Sequence, residues 1–253
     1  MARSIRKQSE SGIYHVMLRG ISHAELFYDD ADRQAFLDRL KRFKADGGFE
    51  LFAYALMGNH VHLLIQEKSE ALSLSIKRLA VSYSAYFNAK YDRSGHLFEG
   101  RFKSEPVDSD AYLLTVLRYI HQNPLKVGKK VDFWTSYKGY LSPSGLVDSG
   151  FVLDMLSSDE AEARAQFKKL VKEPVDEGLG ILGKEAPGRF TEEQAIEEIK
   201  RVCGIKSCNM LADFDRPKKE SLLCSLKSAG LTVRQISRLT GIDRGLVQRA
   251  QSK

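Results

Sequence analysis

The sequence predicts an α+β fold, an antiparallel sheet with helices packed on it, followed by a mainly helical C-terminal region. Three observations predict it. Segments of strand and helix period alternate in the order strand, helix, strand, strand, helix, strand, helix up to Asn123. Gly58-Asn59 is a tight-turn dipeptide between two apolar runs, a hairpin signal. The chain after Asp215 breaks into three short helical pieces with Gly230 and Gly241 between them.

The elements follow in order. Ile13 to Arg19 alternates loosely and reads as a strand. Asp29-Asp30-Ala31-Asp32 opens a helix with carboxylates in its first turn, where the helix dipole favours them. Ala35, Phe36, Leu40 and Phe43 keep one face of that helix, and Gly47-Gly48 stops it. Phe49 to Met57 and His60 to Glu67 are the hairpin strands. Residues 72–91 form the next helix, with Leu72, Ile76, Leu79, Tyr83, Tyr86 and Phe87 on its apolar side, and Ser94-Gly95 breaks it. His96 to Val107 reads as extended. Ser109 or Asp110 caps a helix that runs through Tyr119 towards Asn123, and Pro124 helps end it. Asp132 to Tyr140, which holds the only tryptophan, Trp134, is expected to pack as an irregular segment.

Residues 151–173 read as one helix, and 174–190, with Pro174, Gly178, Gly180, Gly183, Pro187 and Gly188, as a linker. Thr191-Glu192-Glu193-Gln194 carries a capping signal for a further helix. Pro217 to Ala229, Thr232 to Thr240 and Asp243 to Ala250 are the final three pieces. The expected organisation is a first domain over 1–145, a helical segment and linker over 146–190, and a helical region over 191–253. A helix-turn-helix is expected within the last, from about 216 to the end.

Composition bounds the class. With 253 residues, 43% hydrophobic and 28% charged, the chain has material for a globular core. No run reaches the roughly 18 apolar residues needed to span a bilayer, so no membrane association is expected. The basic stretch Met1 to Lys7 lacks a following apolar run and does not read as a secretory signal. Cys203, Cys208 and Cys224 have no CxxC spacing, which argues against a disulfide framework or a zinc module and fits a reducing cytoplasm. The net charge of +6 is uneven: +4 over 1–153, −5 over 154–215, and +7 over 216–253. A compact basic module suits nucleic acid, while the plainer alternative is a solvated, charged terminal helix. Arg244, Gln248 and Arg249 are the exposed candidates on the last helix for contact with a DNA groove.

The most informative stretch is Gly58-Asn59-His60-Val61-His62-Leu63-Leu64-Ile65. On a strand His60 and His62 share one face, about 6.5 to 7 Å apart along the backbone, and can reach a single divalent metal. Two polar residues on a half-buried strand is the bland alternative. A second element, Arg118-Tyr119-Ile120-His121-Gln122-Asn123-Pro124, adds to it. Tyr119 and Asn123 are four apart on a helix and project from one face. The Asn123 carbonyl with His60 and His62 makes a three-ligand, open metal site, as a catalytic ion needs in order to polarise a phosphate. Tyr119 then supplies a nucleophile, which with an unperturbed pKa near ~10 needs help from a metal or base. The alternatives are a tyrosine at a core edge and an asparagine C-cap. His121 points elsewhere on the helix and reads as structural or DNA-facing, His96 as an outer contact of the site, and His15 and His23 carry no spacing signal. Tyr112 lies seven residues before Tyr119 and competes with it for the nucleophile's role.

Gly58-Asn59-His60-Val61-His62-Leu63, then Gly100-Arg101-Phe102-Lys103, then Tyr112-Leu113-Leu114 leading to Arg118-Tyr119-Ile120-His121-Gln122-Asn123-Pro124, resembles the single-tyrosine HUH transposases. Within these it is most similar to the REP-associated tyrosine transposases of the IS200-like group, over roughly residues 10–140. The resemblance implies a ferredoxin-like domain with the histidines on a central strand. It implies His60, His62 and Asn123 as metal ligands, Tyr119 as nucleophile, and Mg2+ or Mn2+ as cofactor. It implies cleavage and rejoining of single-stranded DNA near hairpins through a 5′-phosphotyrosine link, by a monomer or a homodimer. Arg19, Arg101 and Lys103 are the candidates for phosphate contacts. The basic tail resembles the helix-turn-helix extension of longer relatives and points to duplex DNA as a further partner. The competing readings are a non-catalytic, sequence-specific DNA-binding regulator on the same fold, and a nicking enzyme of the replication-initiator kind.

Overall fold

A computed structural model describes residues 7–142, 145–175, 192–205 and 207–250. The basic N-terminus up to Arg6, the linker expected over 174–190 from residue 176 onward, and the Thr191 capping signal lie outside the described residues. The chain separates into two compact units, Met1–Gly183 and Lys184–Lys253. Among the described residues no helix is long and apolar enough to cross a membrane.

The first unit runs β1 (Ile13–Arg19), α1 (Asp30–Ala45), β2 (Phe49–Leu56), β3 (His60–Glu67), α2 (Leu72–Lys90), β4 (Lys103–Pro106) and α3 (Asp110–Gln122). The sheet order is β2-β3-β1-β4 with every neighbouring pair antiparallel. With β1 and β3 central and α1 and α2 as the crossovers, this is the ferredoxin-like topology. Val16 and Leu18 of β1 and Leu63 and Ile65 of β3 face α1 and α2, in one core with Phe36, Leu40, Leu79, Tyr83 and Phe87. The opposite face carries Ala53, Ala55 and Leu64, which share a second core with Leu113, Val116, Leu117 and Ile120 of α3. Three further helices complete that second layer: α4 (Tyr137–Leu141), α5 (Ser149–Leu156) and α6 (Glu160–Lys172). Phe167 of α6 stacks on Tyr140 at 4.2 Å, so residues well past 145 belong to the core of the first unit.

Three sequence expectations change. The segment expected to be irregular from Asp132 to Tyr140 is helical from Tyr137, where α4 begins. The stretch expected to be extended from His96 to Val107 is strand only over β4, because Gly95 and Gly100 sit at φ of +90° and +61° and turn the chain before it. A single bridge, Gly20 to Phe98, is its other sheet contact. The helix expected over 151–173 is two helices: Ser157 is extended, and Asp159 starts α6 by accepting a hydrogen bond from the Glu162 N–H.

The start of α1 is held by Asp32, which is fully buried. Its carboxylate accepts hydrogen bonds from the Tyr28 N–H at 2.8 Å, the Lys90 ammonium at 2.8 Å and the Tyr91 hydroxyl at 2.7 Å. Asp29 and Asp32 also form a reciprocal capping box. One carboxylate thereby fastens the entry of α1 to the end of α2.

The second unit contains α7 (Glu192–Cys203), a 3-10 turn (Cys208–Asp213), α8 (Arg216–Ser228), α9 (Val233–Thr240) and α10 (Arg244–Arg249). Its own core includes Leu211, Leu223, Leu226, Ile236 and Val247. A Thr232–Gln235 capping box opens α9, Gly241 ends it at φ +74°, and the Asp243 carboxylate caps α10. The Lys227 ammonium donates to the carbonyls of Val247, Gln248 and Ala250, closing α10 onto the end of α8.

Burial pushes the Asp32 carboxyl up, but the bonds from Lys90, Tyr91 and the backbone outweigh it and hold its pKa below the usual carboxylate range. A depressed pKa means stabilisation that is present above the unfolded value of about 3.9 and lost as pH falls through the folded one. Asp32→Ala is expected to lose about 2–4 kcal/mol in urea unfolding at pH 7, with the gap to the native protein narrowing below about pH 4.

Candidate active site

The β1–β3 register places Arg19 opposite His60, Met17 opposite His62 and His15 opposite Leu64. The β1–β4 register adds Lys103 opposite Met17 and Glu105 opposite His15. Cross-strand partners project from the same face, so His15, Arg19, His60, His62 and Lys103 all lie on the α3 side of the sheet.

Three imidazoles gather there, where the sequence spacing indicates two. His15 and His62 are both fully buried, with His15 Nε2 2.9 Å from His62 Nδ1 and ring centroids 5.1 Å apart. His60 meets His62 edge-on at 4.9 Å, and its Nδ1 lies 2.8 Å from the Asn59 amide oxygen. With that oxygen accepting, His60 carries its proton on Nδ1 and keeps the lone pair on Nε2. His62 Nε2 is sealed inside the protein without a hydrogen-bond partner.

Helix α3 brings Tyr119 to this cluster. Ser109 caps the helix through the Tyr112 N–H, and the apolar stripe packed under it sets its rotation. The Tyr119 ring stands edge-on to His62 at 5.6 Å and to His15 at 6.0 Å. Asn123 ends the helix, is buried, and donates its amide N–H to the Tyr119 carbonyl at 2.9 Å. A 3-10 turn over Asn123–Val127 then folds back, and the Lys126 ammonium sits 4.1 Å from the centre of the Tyr119 ring.

The electrostatics favour neutral imidazoles. Burial holds His15 down to about 3. Burial first, then His15, His60 and Lys126, hold His62 well below the usual histidine range. A neutral imidazole is the form that binds metal. At Tyr112, burial, reinforced by the hydrogen-bonded Glu105 carboxylate, raises the pKa and keeps the phenol protonated.

A model of the family described as "Transposase IS200 like" matches residues 8–123. That match lies within the first unit and covers just under half of the chain. A solved structure of a REP-associated tyrosine transposase bound to a REP hairpin is similar at 16% identity, over 59% of this chain and 90% of that one, with a TM-score of 0.49. A Deinococcus radiodurans chain with a provisional transposase description is 16% identical, over 51% of this chain and 99% of that one, with a TM-score of 0.35. No curated protein sequence matches.

The remaining candidates of the first unit separate. Lys103 is exposed and shares a cross-sheet row with Met17 and His62. Arg19 approaches the His23 ring nitrogen at 2.6 Å, so that histidine accepts from the guanidinium. Arg101 lies elsewhere, on a groove with Lys77, His96, Phe98 and Phe102 against α2, whose lining includes neither His60, His62 nor Tyr119. His121 is structural: buried, bonded to the Leu117 carbonyl and to Ser136 Oγ, and held down to about 4 by burial. In the second unit Arg244, Gln248 and Arg249 are all exposed on α10.

Sequence spacing does not single out His15, His23, Asn59 or Lys126. The alternation of β1 does put His15 on the face of Arg19, but only the register reveals what that face meets. Gly20 anchors the same corner: its N–H bonds the Asn59 carbonyl, and Ser22 and His23 beside it sit at positive φ. A Cβ on Gly20 would lie 2.0 Å from the Ala24 carbonyl oxygen. Gly20→Ala is therefore expected to lower stability by about 2 kcal/mol in denaturant titration.

Proposed function

We propose that the IS200-like unit is a metal-dependent strand transferase that cleaves and rejoins single-stranded DNA near hairpins through a 5′-phosphotyrosine intermediate. The observation that carries this reading is the convergence of Tyr119 on His62, from a helix and a strand more than fifty residues apart. The Tyr119 oxygen attacks phosphorus, and the bond from phosphorus to the 3′ oxygen breaks. The upstream strand leaves as a 3′-hydroxyl that has taken up a proton, while the phenol's proton passes to water. Attack by a 3′-hydroxyl on the phosphotyrosine reverses the step, which conserves bond energy for rejoining. The Lys126 ammonium over the Tyr119 ring stabilises negative charge developing on the phenol.

The residues fit a divalent ion. His60 and His62 each present Nε2, Asn123 offers its amide oxygen, and the buried Nε2 of His62 has no protein partner. Among the described residues no three His, Cys, Asp or Glu side chains form a ready-made metal cage, so the proposed site relies on the Asn123 oxygen and on DNA for its further ligands. Mg2+ or Mn2+ is the proposed ion, and when bound it supplies Lewis-acid polarisation of the phosphate. His62 Nε2 is sealed behind Tyr119 in this conformation, so the reading includes an outward movement of the tyrosine or of the turn carrying Lys126 when DNA enters.

Arg19 and Lys103 are proposed to hold phosphates beside the site, and Arg101 to hold them along the α2 groove. For the second unit the proposal is a helix-turn-helix of α9 and α10, with Arg244, Gln248 and Arg249 facing duplex DNA. The nine basic against two acidic residues over 216–253 support this.

With labelled single-stranded hairpin oligonucleotides and Mn2+, the native protein is expected to give a covalent adduct on denaturing gels. Tyr119→Phe is expected to give none, and His62→Ala to reduce the rate by more than about 100-fold. An undiminished adduct with Tyr119→Phe moves the nucleophile to another residue. Replacing Arg244 and Arg249 by Ala is expected to weaken duplex binding and reduce its salt slope by about 1 for each phosphate no longer neutralised. Equal duplex binding by that variant removes α10 from the interface.

A further inference from the structure

We infer that His15 is a positioning residue: it holds His62 as the Nδ1–H tautomer, so that the Nε2 lone pair of His62 is presented for ligation. The inference rests on the metal reading above. It starts from the single short contact between the two rings, His62 Nδ1 to His15 Nε2 at 2.9 Å. One of these nitrogens carries the proton, and the choice decides what His62 is. If His15 Nε2–H donates, His62 Nε2 must itself carry a hydrogen and cannot ligate. If His62 Nδ1–H donates, His62 Nε2 is a lone pair without a protein partner and His15 carries its own proton on Nδ1, which is likewise buried without one, so it is the fit of that lone pair to a metal that selects this tautomer.

His60 shows the same arrangement with an unambiguous donor. Its Nδ1 faces the Asn59 amide oxygen at 2.8 Å, an acceptor, so its own Nε2 carries the lone pair. His15 does for His62 what Asn59 does for His60, and the two adjacent rings present like atoms. The unusual part is the chemistry of the partner: an imidazole stands where metal-bound histidines commonly rest on a carboxylate or a carbonyl. A neutral imidazole orients its neighbour without bringing a negative charge next to a DNA phosphate. His15 is packed for this, fully buried and fixed on both sides by the ladders to β3 and β4. It touches the Tyr119 ring as well, so the same side chain braces the nucleophile's position.

The test has two arms. Nitrogen-15 NMR of the metal-free native protein reads the His62 tautomer directly, and the Nδ1–H form is expected to dominate. An Nε2–H form overturns the inference. In the second arm Mn2+ binding is measured by electron paramagnetic resonance for native protein, His15→Gln and His15→Leu. Gln keeps an acceptor and is expected to stay within a few-fold of native, while Leu is expected to lose about 10–100-fold in affinity. Native affinity in His15→Leu overturns the role of His15 and leaves the metal reading standing. A native protein that takes up no Mn2+ overturns the metal reading instead, a different pattern. Should both variants fail to fold by circular dichroism, the tautomer of the native protein decides.

Discussion

Across one antiparallel ladder Met17 faces His62 and Arg19 faces His60, and a slip of one residue in that ladder would turn every one of these side chains to the other side of the sheet. The slip is prevented by what lies on the two faces. Val16, Leu18, Val61, Leu63 and Ile65 are buried against α1 and α2, and none of them could be exchanged for an imidazole without placing polar nitrogens among phenylalanines. The apolar core on one face therefore sets the position of the polar cluster on the other. Both central strands are paired on each side, which denies them the freedom of an edge.

The second face is built differently from the first. Its floor is small where α3 lies, with Ala53 and Ala55, and polar where Tyr119 arrives, with His15 and His62. Buried imidazoles are tolerated because they remain neutral and satisfy one another in part. They leave the outer nitrogens of both rings unsatisfied, Nδ1 of His15 and Nε2 of His62, and the second is the atom the proposed chemistry uses. Residues Asn123–Val127 close the arrangement by turning Lys126 back over the tyrosine, so one short turn bonds the Tyr119 carbonyl through the Asn123 amide N–H and brings a cation over the Tyr119 ring.

The second unit follows a separate plan. Its helices are short, and their ends are individually capped by Thr232 with Gln235, by Gly241 and by Asp243. Lys227 directs its ammonium to the carbonyls at the end of α10 rather than to solvent, which leaves Arg244 and Arg249 as the exposed cations of that helix. A charged terminal helix without a partner would need no core beneath it, whereas here Ile236, Ile242 and Val247 are buried.

The sequence by itself determined the periods and their punctuation. Ile13–Arg19, the hairpin around Gly58-Asn59, the helix from Ser109 to Asn123 and the glycine-separated tail can all be read from it, because they depend on spacing, caps and turn residues that act within a few positions. The pairing of His60 with His62 on one face belongs to the same class. Local signals failed where competing ones were equal: β-compatible residues from His96 to Phe102 yielded to two glycines at positive φ, and a continuous helical pattern hid the break at Ser157. Only the tertiary structure decided which other side chains share that face. His15 lies 47 positions before His62, and Lys126 reaches Tyr119 from beyond a proline. No periodicity within either segment encodes the register between them, because register is set by the burial of the opposite face of the sheet, a property of the whole fold.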